Sequence, residues 1–253
     1  METISNQSIT DYEIIIVDDG STDRTKEIVK KFDVQLFEQN HKGPGAARNW
    51  GAKEAKGDIL VFVDADMFFD RQFLENLIKP IQEKRAIGTF NKEEFVGNDK
   101  NTLAICWNLE HTNSPNRRIS ENYPDEAVIY RALLRSKFLE VGGFEIAAGY
   151  EDDATLYPKL GVKAQYAPGA ISYHNNPGTF AEIYRSARWI GRTAKYAARP
   201  WTLIKYSFPL SLYYSIKKAL HYRIPKYIQF KLVYDCGIFL GGMSRLVFGT
   251  HTK

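Results

Sequence analysis

Two unbroken apolar runs, mostly β-branched, stand out in the first quarter of the chain: Glu13-Ile-Ile-Ile-Val17 and Ile59-Leu-Val-Phe-Val63. Runs of this length without polar alternation predict strands buried on both faces. Each stops abruptly at carboxylates, the first at Asp18-Asp19-Gly20-Ser21-Thr22-Asp23 and the second at Asp64-Ala65-Asp66. Val34 to Phe37 predicts a shorter strand between them. Ser21, Thr22 or Asp23 can cap a helix carrying Ile28 and Val29. Gly43-Pro-Gly-Ala-Ala-Arg48 runs from a glycine-rich loop into a helix of small residues that reaches Lys53. Strand, helix, strand, helix and strand in alternation is the pattern of an α/β domain with an open, largely parallel sheet. Ligands of such sheets sit beyond the carboxyl ends of the strands, and both acidic clusters fall at such ends.

Further along, Phe73 to Ile78 predicts an amphipathic helix ended soon after by Pro80, and Ile87 to Val96 another strand. A helix is expected around Leu103 to Leu109 and another near Arg135 to Leu139, the latter followed by Val141-Gly142-Gly143-Phe144. Val162 to Tyr166 and Ala170 to Tyr173 read as short strands, with His174 directly after the second. Phe180 to Trp201 reads as a helix with Arg185, Arg188, Trp189 and Arg192 on adjoining turns.

The chain has 253 residues, 44% of them hydrophobic, enough for one large domain or for a domain with an appendage. Its net charge of +4 hides an asymmetry: from Phe180 onward thirteen Lys and Arg face only Glu182 and Asp235, so the preceding part is acidic on balance. From Leu203 aromatic residues alternate with Lys and Arg. Tyr and Trp suit a lipid headgroup zone, and Lys and Arg suit anionic lipid. Leu232 to Phe248 is apolar enough to lie in an interface, whereas Asp235 and Arg245 argue against spanning. Nucleic acid is the competing partner for a basic aromatic surface, but here the aromatics come with Ile and Leu rather than with Gly- or Ser-rich contacts. These features divide the chain into a catalytic-type domain over 1–200 and a helical, membrane-interfacial tail over 201–253. No basic-then-apolar leader and no uncharged run of about 18–20 apolar residues is present. Cys106 and Cys236 match no metal or redox spacing and fit a reducing compartment.

Asp64 and Asp66 can converge on one hard cation, which takes oxygen ligands and leaves room for a substrate phosphate. Taken alone, the same two residues can equally cap a helix starting near Phe69. Acidic clusters at two strand ends fit either a phosphoacceptor receiver domain or a nucleotide-sugar site. The length of the chain and the glycine-rich loop argue against the receiver. Gly149-Tyr-Glu-Asp-Asp153 supplies a third acidic centre, suited to general-base work or, more simply, to a helix N-terminus.

VDDGSTDRT, GPGAARNWGAK, FVDADM and GGFEIAAGYEDDATLYPKLG resemble, in that order, the motifs of inverting family 2 glycosyltransferases with the GT-A fold. The match covers about Asp11 to Trp189. The resemblance implies a GT-A, Rossmann-like, mostly parallel sheet followed by a basic, aromatic helical extension. It implies that Asp18 or Asp19 reads the base of a nucleotide-sugar donor and that Arg48 lies near the nucleotide. Asp64 then approaches the ribose, and Asp66 binds a divalent metal, Mn²⁺ or Mg²⁺, that bridges the phosphates. Asp152 becomes the catalytic base, with Glu151 placing the loop or the acceptor and Asp153 as the nearest rival. His174 occupies the place of a further metal ligand. RSARWIGR resembles an Arg-Trp element of several family members, which puts Arg188 and Trp189 on the diphosphate or an anionic acceptor. Family members open with a strand ending in a Pro-x-Tyr/Phe-Asn-like turn, and METISNQSI resembles the tail of the helix after it. The chain is therefore expected to lack the family's first strand.

The implied function is inverting, metal-dependent transfer from a nucleotide-diphosphate sugar, with a UDP-sugar as the first expectation. The implied acceptor is a lipid-linked or cell-surface glycan at the cytoplasmic face of the cell membrane, with no role for nucleic acid. Two alternatives stand beside it. One is a truncated, inactive glycosyltransferase-like binding protein. The other is a sugar nucleotidyltransferase, which calls for a GxGxR-like loop after its first strand, and no such loop is found.

Overall fold

The structure, a computed structural model, describes residues 1–112, 114–193 and 204–248, without the side chains of 147–151 and 248. In chain order the first elements are α1 (Glu2–Ser5), β1 (Ile15–Asp18), α2 (Thr25–Val29), β2 (Gln35–Glu38) and α3 (Pro44–Glu54). Next come β3 (Ile59–Val61), β4 (Met67–Phe69), α4 (Phe73–Gln82), β5 (Gly88–Phe90), β6 (Glu94–Val96) and α5 (Thr102–Thr112). They are followed by β7 (Glu126–Ala127), β8 (Ala132–Leu134), α6 (Arg135–Glu140), a 3-10 helix (Ile146–Thr155) and α7 (Leu156–Leu160). The remainder is β9 (Ala164–Tyr166), β10 (Ser172–His174), α8 (Phe180–Gly191), α9 (Phe208–Tyr222) and α10 (Tyr227–Phe248). Two compact units result, one of Met1–Phe95 with Ile119–His174 and one of Val96–Arg118 with Asn175–Lys253.

In the first unit, β1 and β2 form a parallel pair. A five-stranded sheet runs in the order β3-β8-β5-β9-β7, and a three-stranded one in the order β4-β10-β6. The class is α/β, as the alternation predicts, but the sheets are mixed. β5 and β9 are parallel, while β8 is antiparallel to both β3 and β5, and β7 to β9. Helical crossovers enforce parallel pairing only where strand and helix strictly alternate. That alternation ends at β5: the chain then passes through α5 of the other unit before returning as β8.

The expected strand over Ile87 to Val96 is two strands in different sheets. Asn91, between them, is buried and donates to Ser172 Oγ at 2.8 Å, which fixes the crossing. α4 continues past Pro80 to Gln82 instead of ending before it. Pro80 lies within the last turn and is buried beside Leu77 and Ile81, so core packing offsets the loss of one ladder bond. Phe73 and Leu77, both fully buried, anchor this helix; each such side chain contributes about 1.5–3 kcal/mol.

Small residues let α3 approach β1: a Cβ on Gly51 would meet Ile15 and Val17 at 3.5 Å. At its other side, Asn49 of α3 grips the backbone of Phe144, accepting from its N–H at 2.8 Å and donating to its carbonyl at 2.9 Å. The Gly142-Gly143 turn presents Phe144 in this way. Gly143 has φ 72°, and a Cβ there would stand 2.4 Å from Asn49 Oδ1. Gly143→Ala is therefore expected to cost about 1–2 kcal/mol from the left-handed backbone alone, plus the clash. A lowered urea midpoint with unchanged slope checks this; an unchanged midpoint would show that the turn tolerates a side chain.

The second unit is helical. Its core joins Leu103, Cys106 and Trp107 of α5, Ile183, Ala187 and Ile190 of α8, and Tyr227, Phe230, Tyr234 and Ile238 of α10. α8 starts at a capping box, with Thr179 Oγ1 accepting from Glu182 N–H and Glu182 Oε2 accepting from Thr179 N–H. α8 and α10 cross closely, since a Cβ on Gly241 would fall 2.2 Å from the Arg188 carbonyl oxygen. The predicted helix from Phe180 stops at Gly191, and its expected continuation from 194 to Trp201 lies outside the described residues. Among the described residues no helix is long and apolar enough to cross a membrane.

Candidate active site

Arg48 leaves α3 one turn after its start and joins two of the acidic centres. Its Nη1 donates to both carboxylate oxygens of Asp152, at 3.0 and 3.1 Å, and its Nη2 donates to Asp64 Oδ1 at 2.8 Å. The Phe144 ring lies under the guanidinium, 5.7 Å from ring centre to Cζ. Gly45 makes room for this arrangement, because a Cβ there would stand 2.9 Å from Asp152 Oδ2. The strand-end acid, the helix arginine and the acid of the 3-10 helix thus form one charge-assisted unit.

Asp64 and Asp66 do not converge on one point. β3 ends at Val61, and Met67 N–H donates to the Asp64 carbonyl at 3.1 Å, so both acids sit in a turn where strand alternation no longer applies. Asp64 faces Arg48 and, at 3.8 Å, Arg131 Nη1. Asp66 faces His174, with Oδ1 3.0 Å from Nε2. The antiparallel register of β10 on β4, His174 opposite Met67, brings that imidazole beside Asp66. Neither acid caps a helix; it is Asp70 that receives the Phe73 and Gln72 N–H groups ahead of α4.

Two residues that local sequence patterns do not single out complete the chain of contacts. Arg131, just before β8, donates from Nη2 to Glu94 Oε2 at 3.2 Å and from Nη1 to the Phe62 carbonyl at 3.2 Å. Glu94, buried on β6, has Oε1 3.4 Å from His174 Nδ1. The contacts therefore run from Asp152 through Arg48, Asp64, Arg131, Glu94 and His174 to Asp66. The one sequence signal for Glu94 and Arg131 is a charge set against an apolar strand, Phe95-Val96 for one and Ala132-Leu-Leu134 for the other.

The carboxylates differ electrostatically. Burial raises the Asp64 carboxyl, but Arg131 and Arg48 outweigh it and hold Asp64 below the ordinary range. Asp152 goes the other way: burial pushes it above the ordinary range and Arg48 only partly opposes. Asp153 is likewise raised, first by burial and then by the charge of Asp152. The site thus pairs one strongly ionised carboxylate with two that hold protons more readily.

The other acidic cluster divides its labour. Asp19 is engaged by the glycine-rich loop, accepting from Lys42 N–H at 2.7 Å, Gly43 N–H at 2.9 Å and Gln39 Nε2 at 2.6 Å. Burial raises its carboxyl, but these donors and His41 outweigh that and leave it low. Asp18 is buried at the end of β1. Its Oδ1 accepts from Ser21 N–H at 3.1 Å, while its Oδ2 has no hydrogen-bond donor among the described residues and lies 3.7 Å from Lys26 Nζ. Arg188 and Trp189 belong to the other unit, where both are exposed on α8. The Glu151 side chain lies outside the described residues.

A bound divalent cation would find one oxygen and one nitrogen donor at Asp66 and His174, which suits Mn²⁺ or Mg²⁺ in a shell shared with phosphate and water. Among the described residues no group of three or more His, Cys, Asp or Glu is gathered for a metal. Two protein ligands fit an ion completed by its substrate.

Set against known proteins, residues 1–142 match the model of glycosyl transferase family 2. The chain belongs to this family. Over 108 residues it is 38% identical to the glycosyltransferase GlyG of Streptococcus pneumoniae, a stretch covering 39% of this chain and 36% of GlyG. Over 83 residues it is 38% identical to TarS of Staphylococcus aureus, a poly(ribitol-phosphate) β-N-acetylglucosaminyltransferase, covering 30% of this chain and 14% of TarS. The matched stretch is thus well under half the length of either relative. Among solved structures, the mannosyltransferase PcManGT of Pyrobaculum calidifontis, in complex with GDP-Man and Mn²⁺, superposes with a TM-score of 0.57 at 20% identity, covering 98% of this chain and 81% of that one. A structure of TarS 1–349 in complex with UDP-GlcNAc gives 0.51 at 16% identity, over 96% and 85% of the two chains. This family member has the GT-A fold.

Proposed function

We propose that the chain is an inverting, metal-dependent glycosyltransferase that moves a sugar from a nucleotide-diphosphate donor, in the first instance a UDP-sugar, to a lipid-linked or cell-surface glycan. The observation that carries this reading is Arg48 held between Asp64 and Asp152. A cation there neutralises the leaving nucleoside diphosphate, and a carboxylate whose proton affinity burial has raised is suited to accept a proton.

In this reading the acceptor hydroxyl oxygen forms a bond to the anomeric carbon as the bond to the diphosphate oxygen breaks on the opposite face. The electron pair leaves with the diphosphate, and the hydroxyl proton passes to Asp152. Asp153 is the alternative recipient and Glu151 a positioning group. Asp18 reads the base: its buried Oδ2 is available to an imide N–H such as that of uracil, whereas Asp19 is committed to the loop. Asp64 approaches the ribose. A divalent cation on Asp66 and His174 would neutralise the phosphates, and Glu94 and Arg131 would hold His174 and Asp64 in place. Arg188 and Trp189 are assigned to the diphosphate or an anionic acceptor. TarS is named for action on poly(ribitol-phosphate), an anionic polymer, which supports a surface-glycan acceptor and a place at the cytoplasmic face of the membrane.

Calorimetric titration of the chain with UDP, with and without Mn²⁺, tests the donor site. The expected result is binding that requires the metal. No binding of either UDP or GDP, with or without Mn²⁺, would remove the nucleotide-sugar reading.

A further inference from the structure

α9 is amphipathic in the wrong sense for a helix in water. Its buried stripe is Ser211, Ser215 and Ala219, spaced by four, and Lys218 on the flank reaches Glu110 of α5 at 2.7 Å. Its outward face carries Phe208 at 69% exposure, Tyr213 at 58%, Leu220 at 74%, and Ile216 and Leu210 beside them. A helix that buries serine and presents leucine, isoleucine and aromatics lacks the arrangement that normally stabilises surface helices. A contiguous apolar patch of this kind marks a contact surface.

Charge identifies the occupant. From 204 to 234 the chain contains no Asp or Glu, while Lys205, Lys217, Arg223 and Lys226 are exposed along and beyond α9. Two copies meeting through this face would bring only positive charges together. An anionic lipid bilayer satisfies both halves of the pattern: apolar side chains enter the acyl boundary, Tyr213 sits among headgroups, and the basic groups meet lipid phosphate. At 15 residues, with Lys217 on the outward side, the helix fits lying in the interface.

We infer that the outward face of α9 is a docking surface for an anionic membrane, with Phe208, Leu210, Tyr213, Ile216 and Leu220 as the inserting residues. This rests on the functional reading above only in placing a membrane-borne acceptor on the same surface; the docking itself needs no nucleotide.

The test is co-sedimentation of the full chain with phosphatidylcholine vesicles, with and without phosphatidylglycerol, alongside UDP titration in Mn²⁺. The chain is expected to bind the phosphatidylglycerol vesicles and to be released by salt. Replacing Leu210, Tyr213, Ile216 and Leu220 together by Ser should lower partition by roughly a hundredfold or more. K217E with R223E should lower it about fivefold or more per charge and remove the salt dependence. UDP binding and melting temperature should stay unchanged in both variants, since none of these residues packs in the core. Failure of the chain to bind anionic vesicles, or equal binding by the serine variant, would overturn the inference. So would a dimer in solution that the serine variant dissolves, because a second copy would then be the occupant. Vesicle binding without UDP binding would leave the docking intact and fell only the enzymatic reading.

Discussion

Asp152→Asn should reduce sugar transfer by about 10²–10⁴-fold while UDP binding in Mn²⁺ stays within about twofold of the native chain. The amide keeps the shape of the side chain and can still accept from Arg48, but it cannot take the acceptor proton. Asp153→Asn is the matching control. If Asp153→Asn abolishes transfer and Asp152→Asn does not, the base is Asp153. The pH profile carries the same assignment. Burial raises the Asp152 carboxyl, so its active, ionised form is lost as pH falls through a value above the ordinary aspartate range. The acid limb of kcat/KM should therefore lie above that range. The linked effect on stability has the opposite sense. A carboxyl whose folded-state pKa is raised binds its proton more tightly in the folded chain, so ionisation of Asp152 lowers stability as pH rises through that pKa. The neutral amide escapes this, and Asp152→Asn should melt no lower than the native chain at neutral pH. A large fall in melting temperature would mean that the Arg48–Asp152 pair holds the fold rather than serving the reaction.

The parts of this site that can be read from sequence are those set by short-range pattern. An apolar run that stops at carboxylates places Asp18 and Asp64 at strand ends, because the run and its terminus are contiguous. Arg48 follows a glycine-rich turn into α3 for the same local reason. The meeting of Arg48 with Asp152 joins residues 104 apart, and only the ordered family motifs pointed to it. Glu94 and Arg131 belong to no such motif. Each is one charge in an apolar strand context, and its meaning depends on partners 37 and 80 residues away in sequence.

The convergence expected of Asp64 and Asp66 failed because it extended the two-residue strand period past Val61, where the chain already turns. Pro80 misled in a similar way: a proline disfavours a helix interior, but near a helix end one lost bond is outweighed by a buried ring. Sheet order was beyond reach for a different reason. The excursion through α5 before β8 sets its antiparallel direction, and nothing within β8 itself records that path.

Asp66→Ala should abolish the Mn²⁺ dependence of UDP binding, leaving at most a weak, metal-independent interaction. The argument rests on the donor set. Asp66 Oδ1 and His174 Nε2 stand 3.0 Å apart, and the other acid of the pair, Asp64, is occupied by Arg48 and Arg131. Removing Asp66 thus takes away the only carboxylate that faces His174 Nε2 among the described contacts, and no neighbouring acid is positioned to replace it. Glu94 acts one step further out. Its contact with Nδ1 orients the imidazole, and groups in that position typically change metal affinity about 10–100-fold. Glu94→Ala should therefore weaken Mn²⁺-dependent UDP binding within that range without abolishing it, and Mn²⁺ titration followed by electron paramagnetic resonance in the presence of UDP reads the metal directly. The graded order, Asp66→Ala more severe than Glu94→Ala, separates a ligand from the residue that orients its companion. Equal and complete loss in both variants would instead indicate that β6 and the turn at Asp66 collapse together, and retention of Mn²⁺-dependent binding by Asp66→Ala would place the metal elsewhere.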